Sequence, residues 1–200
     1  MNCNVIALTG AKGSGKDSFF HIVQSIPDRY DQPIPKRIAY ADPIRQQVNA
    51  ILGLRSEPEY DDFKRRLHAF ILSNREVTIS GRQIVREIGM LMRKYDENQF
   101  TNYVDEMIRS HSSSNIRWFI TDLRFNNELQ SLKKHDAVVI KIKRAGVEYD
   151  GHVSETEIPD SNCHIIIHND GDFHNYRVQV QNAMFMVDEG IVNHANQIKL

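Results

Sequence analysis

The stretch Gly10-Ala11-Lys12-Gly13-Ser14-Gly15-Lys16-Asp17 carries a glycine, four intervening residues, and a glycine-lysine pair. That spacing suits one kind of chemistry. Glycines let a loop curl so that successive backbone N–H groups face one point, a following helix adds its positive end, and the lysine reaches the outer phosphates of a nucleotide. The loop therefore predicts binding of a nucleoside triphosphate through Gly10, Ala11, Lys12, Gly13, Ser14, Gly15 and Lys16. Asp17 stands where a serine or threonine usually offers Mg²⁺ a hydroxyl, and Ser18 follows it. A carboxylate can hold the same ion directly or through water, so Asp17 is expected at the metal site. The alternative for Asp17 is a plain helix-terminal charge.

A second set of residues suits an acceptor that already bears a phosphate. Thr121-Asp122-Leu123-Arg124 follows an apolar run, so a carboxylate at a strand tip precedes an arginine by two residues. Asp122 is placed to organise a metal or its water shell, and Arg124 to grip an acceptor phosphate. Ser80-Gly81-Arg82 opens a helical pattern in which Arg82, Arg86 and Arg93 recur near one face. Arg82 is favoured because anions bind at helix starts, whereas Arg86 and Arg93 also fit a solvated face. Arg45, just after Asp42-Pro43, is a further candidate. Arg144 leads into a polar stretch from Ala145 to Asn162 containing His152, Ser154 and Glu155. A loop there that closed over the donor would exclude water. No protein nucleophile is required, since an acceptor phosphate oxygen attacks directly.

These residues need a scaffold that gathers strand ends. Cys3–Thr9, 116–121, 137–143 and 163–168 read as buried strands, and 38–41 as a short one. Helices are expected at 16–26, after an Asp42 cap towards Gly53, at 126–135 and at 173–189. The stretch 59–111 reads as three helices divided near 74–80 and 96–98. Alternating strands and helices predict an α/β fold: a P-loop NTPase-like three-layer αβα sandwich with a mainly parallel, about five-stranded sheet and a helical acceptor-binding insertion. The expected organisation is one domain over 1–200, with an insertion at about 42–111 and a lid-like loop at about 145–162.

Composition narrows the classes. The 200 residues are 40% hydrophobic and 26% charged, with a formal net charge of -1. No overall field exists to gather nucleic acid, and no basic stripe with interleaved aromatics appears. No window approaches the ~18 apolar residues of a membrane span. The two cysteines, Cys3 and Cys163, have no metal-ligand spacing and read as core residues. A GTPase-type switch protein is disfavoured by the lack of an Asn-Lys-x-Asp signature.

Taken together, GAKGSGKD at 10–17, YADPIRQQV at 40–48, SGRQIVREIG at 80–89, ITDLRFNNEL at 120–129, HVSETE at 152–157 and Asn169-Asp170-Gly171 resemble the deoxynucleoside monophosphate kinases of tailed bacteriophages. Aspartate after the loop lysine is typical of that family. The resemblance implies transfer from ATP with Mg²⁺ to a deoxynucleoside 5′-monophosphate for DNA synthesis, in a cytoplasm, the host's if the chain is phage-encoded. It implies catalytic roles for Lys16, Arg82, Asp122 and Arg124. Donor contacts would come from the loop, Asp17, Ser18, Arg144, Asn169 and Gly171. Acceptor contacts would come from Asp42, Arg45, Arg82, Arg86, Arg124 and Glu155, and metal contacts from Asp17 and Asp122. The insertion is available to shape the acceptor pocket, a homodimer interface, or both. Arg45 replaces a frequent lysine, and Gly89-Met90-Leu91 replaces a frequent Gly-Thr-acid, which bears on base preference. Animal phosphomevalonate kinases share the SGKD loop and the Asp-x-Arg, but the GRQIVREIG block favours the nucleotide enzymes. Dephospho-coenzyme A kinases resemble the first fifteen residues.

Overall fold

The computed structural model describes residues 4–27, 32–72, 75–112, 115–149, 151, 158–192 and 197–200. Along the chain lie β1 (Val5–Thr9), α1 (Lys16–Gln24), β2 (Ile34–Ile38), α2 (Asp42–Leu52), α3 (Glu57–Arg65), β3 (Leu67–Leu72), β4 (Arg75–Ser80), α4 (Gly81–Tyr95), α5 (Gln99–Ser110), β5 (Ile116–Ile120), α6 (Asn126–Leu132), β6 (Val138–Lys143), β7 (Ile165–His168), α7 (Phe173–Asp188) and β8 (Ile198–Lys199). They form two compact units, one of Met1–Tyr40 with Val104–Leu200, the other of Ala41–Tyr103.

The first unit is built on one sheet in the order β2-β5-β1-β6-β7-β8. All of its pairings are parallel. β1 and β5 are buried along their whole length, as strands covered on both faces must be. One face packs Ile6, Leu8, Phe119, Ile140, Ile142, Ile165 and Ile167 against Phe19, Phe20 and Val23 of α1 and Val180, Ala183 and Met184 of α7. On the other face, Leu129 and Leu132 of α6 lie with Val139. The parallel α/β architecture expected from sequence is present, with six strands rather than about five. The extra strand, β8, is two residues long and too short to leave a pattern.

Three further expectations change. The short strand expected at 38–41 lies at Ile34–Ile38, across Pro35. β2 is an edge strand paired only with β5, so a residue without an N–H fits there. Asp42 is not the cap of α2; that position is Ala41, and Asp42 is a first-turn residue ahead of Pro43. Finally, 59–111 holds the three expected helices, α3, α4 and α5, divided at 96–98 as expected, but a two-stranded hairpin over 67–80 stands where a break near 74–80 was expected. The second unit places α3 before an antiparallel hairpin in which Leu67 to Leu72 pair with Ser80 to Arg75. The run Glu76-Val77-Thr78-Ile79 alternates with β-branched residues, a period-two signal outweighed in the reading by its helical flanks. α4 and α5 follow the hairpin, with Ser80 Oγ capping α4 by accepting from Gln83 N at 3.2 Å.

Two polar clusters tie the first unit together. Asp105 of α5 accepts from Ser131 Oγ at 2.7 Å and lies 2.8 Å from His135 Nε2. Burial works to raise its pKa, but these two partners outweigh it and hold the carboxyl below its usual range. Serine, histidine and aspartate meet here with the carboxylate in the middle. Histidine therefore does not bridge to serine, and the group braces α5 to α6 rather than activating a nucleophile.

The second cluster centres on Lys141, whose side chain is 2% exposed. Its Nζ donates to Ile158 O at 2.8 Å and to Asp160 Oδ1 at 2.7 Å, while Lys143 Nζ reaches Asp160 Oδ2 at 2.6 Å. Hydrogen bonds from the two lysines pull Asp160 down to about 2 from a reference of 3.8. A depressed folded pKa gives stability that is present above the unfolded value and lost as pH falls through the folded one. Asp160→Asn should therefore lower stability at neutral pH by about 1–2 kcal/mol, a figure discounted for the screening of an exposed carboxylate. The gap to wild type should close between about pH 4 and pH 2. Thermal melts across that range check it; a gap constant with pH would reject this role for the pair.

Among the described residues, no helix is long and apolar enough to cross a membrane. Cys163 is buried as expected, whereas Cys3 lies outside the described residues.

Candidate active site

The loop between β1 and α1 sits at the carboxyl end of a central strand. β1 runs between β5 and β6, where the chain order reverses, which is where open parallel sheets bind ligands. The loop's shape depends on glycine at two points. Gly10 has φ +140°, and a Cβ there would lie 2.2 Å from Ile142 O. Gly15 has φ +116°, and a Cβ would lie 2.6 Å from Asn169 Nδ2. Any side chain at either position would push the loop off the sheet.

Lys16 folds back along the loop, donating to Gly10 O at 2.7 Å and Ala11 O at 2.8 Å. From the other side, Asn169 Nδ2 donates to Ser14 O at 2.8 Å, and Tyr176 OH to Gly15 O at 2.8 Å. In a trans peptide the C=O and the next N–H point in opposite directions. Holding the Ser14 and Gly15 carbonyls towards β7 and α7 thus aims the N–H groups of Gly15 and Lys16 the other way. Burial pushes the Tyr176 phenol far above its ordinary pKa, so it stays a donor at any working pH. Tyr176 is a site residue that sequence reading missed. Its position on the long α7 pattern reads as ordinary core.

A cavity of about 290 Å³ opens beside the loop, lined by Gly13, Gly15, Lys16, Asp17, Ser18, Arg144, Asn169, Gly171, Phe173 and Tyr176. The structure thus brings together most of the residues expected to contact a donor nucleotide. Lys12, Asp17, Ser18, Arg144 and Gly171 are exposed, and Asn169 is buried. Asn169 N also donates to Lys143 O at 2.8 Å, extending the β6–β7 pairing up to the cavity wall.

Asp122 and Arg124 belong to the same unit. Leu123 N donates to Leu8 O at 3.2 Å, so the segment after β5 stays alongside the end of β1, where the loop begins. Asp122 Oδ1 accepts from Tyr40 N at 2.8 Å. Glu128, 1% exposed, accepts from the N–H groups of Arg124 and Phe125 at 2.9 and 3.0 Å. The Arg124 backbone is therefore fixed by a buried carboxylate, and its side chain is half-buried.

Asp42, Arg45, Arg82 and Arg86 lie in the second unit. There Arg45 pairs with Glu57 at 2.7 Å, and both Arg45 and Lys64 approach the ring of Tyr60, at 5.1 and 4.9 Å from its centroid. The start of α4 docks on the end of α3 through Gly81 N to Arg66 O at 3.0 Å, which sets Arg82 in the field of Lys64. Burial, followed by the charges of Arg82 and Arg45, lowers the Lys64 pKa against the opposing pull of Asp61. Arg45, Lys64 and Arg82 form one cationic patch, and Lys64 is a member the sequence did not single out. Arg93 instead stacks over Phe100 at 4.5 Å, in keeping with packing. Glu155, with His152 and Ser154, falls outside the described residues, as do positions 150 and 152–157 at the centre of the expected lid.

The family model described as deoxynucleotide monophosphate kinase matches residues 88–180. Among solved structures, the chain is similar to a dephospho-CoA kinase from Campylobacter jejuni, with a TM-score of 0.53 and 16% identity over 94% of this chain and 99% of that one. At that identity the likeness concerns the fold. No curated protein sequence matches. The matched segment, which holds Asp122, Arg124, Arg144 and Asn169, is similar to the deoxynucleotide monophosphate kinases, and the fold is that of a P-loop kinase.

Proposed function

We propose that the γ-phosphoryl group of ATP, bound with Mg²⁺, is transferred here to a deoxynucleoside 5′-monophosphate, giving the diphosphate for DNA precursor synthesis. The observation that carries this reading is the braced loop, with Lys16 at its centre and amides aimed away from Asn169 and Tyr176. Lys16 and the loop amides hold the donor phosphates. Arg124 receives the acceptor phosphate; the second unit carries its own candidate acceptor cations in Arg45, Arg82 and Arg86. An acceptor phosphate oxygen forms the new P–O bond as the bond to the ADP oxygen breaks. The acceptor enters ionised, so no protein base is needed, and catalysis rests on position and charge.

The residues fit Mg²⁺. This ion keeps waters and binds one or two carboxylates together with substrate phosphates, rather than a cage of side chains. Among the described residues no three acidic, histidine or cysteine side chains converge, while Asp17 lines the cavity beside Lys16. Asp17, with Asp122 at the end of β5, would hold the ion or its waters. When bound, it neutralises charge on the transferred phosphoryl group.

ADP release should be measured with ATP and Mg²⁺ against the four common deoxynucleoside monophosphates, modified pyrimidine monophosphates and phosphomevalonate. Turnover on one or more deoxynucleotides, lost on chelating the metal, is expected. Activity on phosphomevalonate alone would replace this reading.

A further inference from the structure

One wall of the cavity beside the loop is not explained by phosphate chemistry. Phe173, the first residue of α7, is 64% exposed, yet it lines the cavity together with Arg144, Asn169 and Gly171. A single exposed apolar ring needs no explanation on an open surface. This one stands in a nucleotide cavity on a rigid mount. Asp172 caps α7 by accepting from Asn175 N at 2.8 Å, and one turn later Tyr176 bonds the loop at Gly15 O, also at 2.8 Å. Phe173 is thereby held in register with the phosphate loop.

Beyond the phosphates held by the loop, a donor nucleotide continues as ribose and a flat aromatic base. The polar side chains nearby are largely committed: Asn169 Nδ2 and the Tyr176 hydroxyl proton serve the Ser14 and Gly15 carbonyls. Among the described residues lining the cavity, that leaves Ser18 and Arg144, beside Lys16, as side-chain donors. Arg144, exposed at the end of β6, supplies a planar cation on the same cavity.

We propose that Phe173 is the stacking platform for the donor base, with Arg144 as its cationic partner, so that the base is recognised by its face rather than its edge. This rests on the reading of the loop as the donor site. Its consequence is a kinase that takes ATP and GTP with comparable efficiency, and pyrimidine triphosphates less well because they offer less ring area.

The test is steady-state kinetics of wild type, Phe173→Ala and Phe173→Trp with ATP and GTP at saturating acceptor, with inorganic tripolyphosphate as a baseless competitor. Loss of a base–aromatic stack should raise the donor KM of Phe173→Ala about ten-fold for both purines. Phe173→Trp should restore it, and inhibition by tripolyphosphate should not change. An unchanged donor KM in Phe173→Ala would overturn the proposal. So would an equal weakening of tripolyphosphate, which would mean that the ring merely supports the loop. A wild-type preference for ATP over GTP beyond about 100-fold would indicate edge recognition and also overturn it. Failure of the donor-site reading itself would show separately, as tripolyphosphate that does not compete with ATP.

Discussion

Alanine in place of Lys16 should cut turnover by at least about 10²-fold, the scale set by removing one preorganised charge-stabilising donor. The midpoint of thermal unfolding should stay within a few degrees of wild type. The two halves of this expectation have different sources. The ammonium group donates to two loop carbonyls, Gly10 O at 2.7 Å and Ala11 O at 2.8 Å, and solvent can replace it there because Lys16 is half-buried. A net hydrogen bond is worth about 1 kcal/mol in such a setting. In the reaction the same group faces charge that grows on transferred and bridging oxygens, and no neighbour duplicates it from the first turn of α1. Paired measurements of kcat and thermal melting decide the matter. Rates like those of wild type would sink the assignment of the phosphate loop, whereas a collapsed melt would show that the lysine holds the fold.

The second large effect belongs to Arg124. Its replacement by alanine should lower kcat/KM for the acceptor by about 10²–10³-fold, the loss expected for two charge-assisted hydrogen bonds to a phosphate. ATP affinity measured by calorimetry should be nearly unchanged. The fold should tolerate the change, because what fixes this segment is the backbone, through Glu128 accepting from the N–H groups of Arg124 and Phe125. Arg124→Lys should recover only part of the loss, since a point charge cannot reproduce a planar fork. If ATP affinity fell while acceptor use did not, donor and acceptor roles would have to be exchanged between Arg124 and Arg144.

What could be read from sequence follows from where each signal is local. The phosphate loop was legible because its chemistry needs fixed residues at fixed spacing, and the buried strands β1, β5, β6 and β7 because unbroken apolar runs have few other uses. The hairpin of β3 and β4 was not, since its strands are short and lie between helices, and β8 offers only two residues. At the site, Asn169 was legible by resemblance and Tyr176 was not. Tyr176 works through one hydroxyl that reaches 161 positions back along the chain to Gly15, and no local pattern encodes such a distance. Lys64 escaped for the same reason: its significance comes from Arg45, Tyr60 and Arg82, which only the fold assembles around it.

The composition of the sheet margins bears on how copies of this chain can meet. An open strand edge is a template on which another chain can add its own strand. On one margin β2 reads Ile-Pro-Lys-Arg-Ile, with a residue that cannot donate and two cations beside it. On the other, β8 is only two residues long. Neither border offers a run of matched donors and acceptors long enough to continue the ladder. Self-association by sheet extension, and the fibrous growth that follows from it, is disfavoured at both ends. A homodimer of this kinase would have to be built from side chains, on helical or hairpin surfaces, rather than from shared backbone.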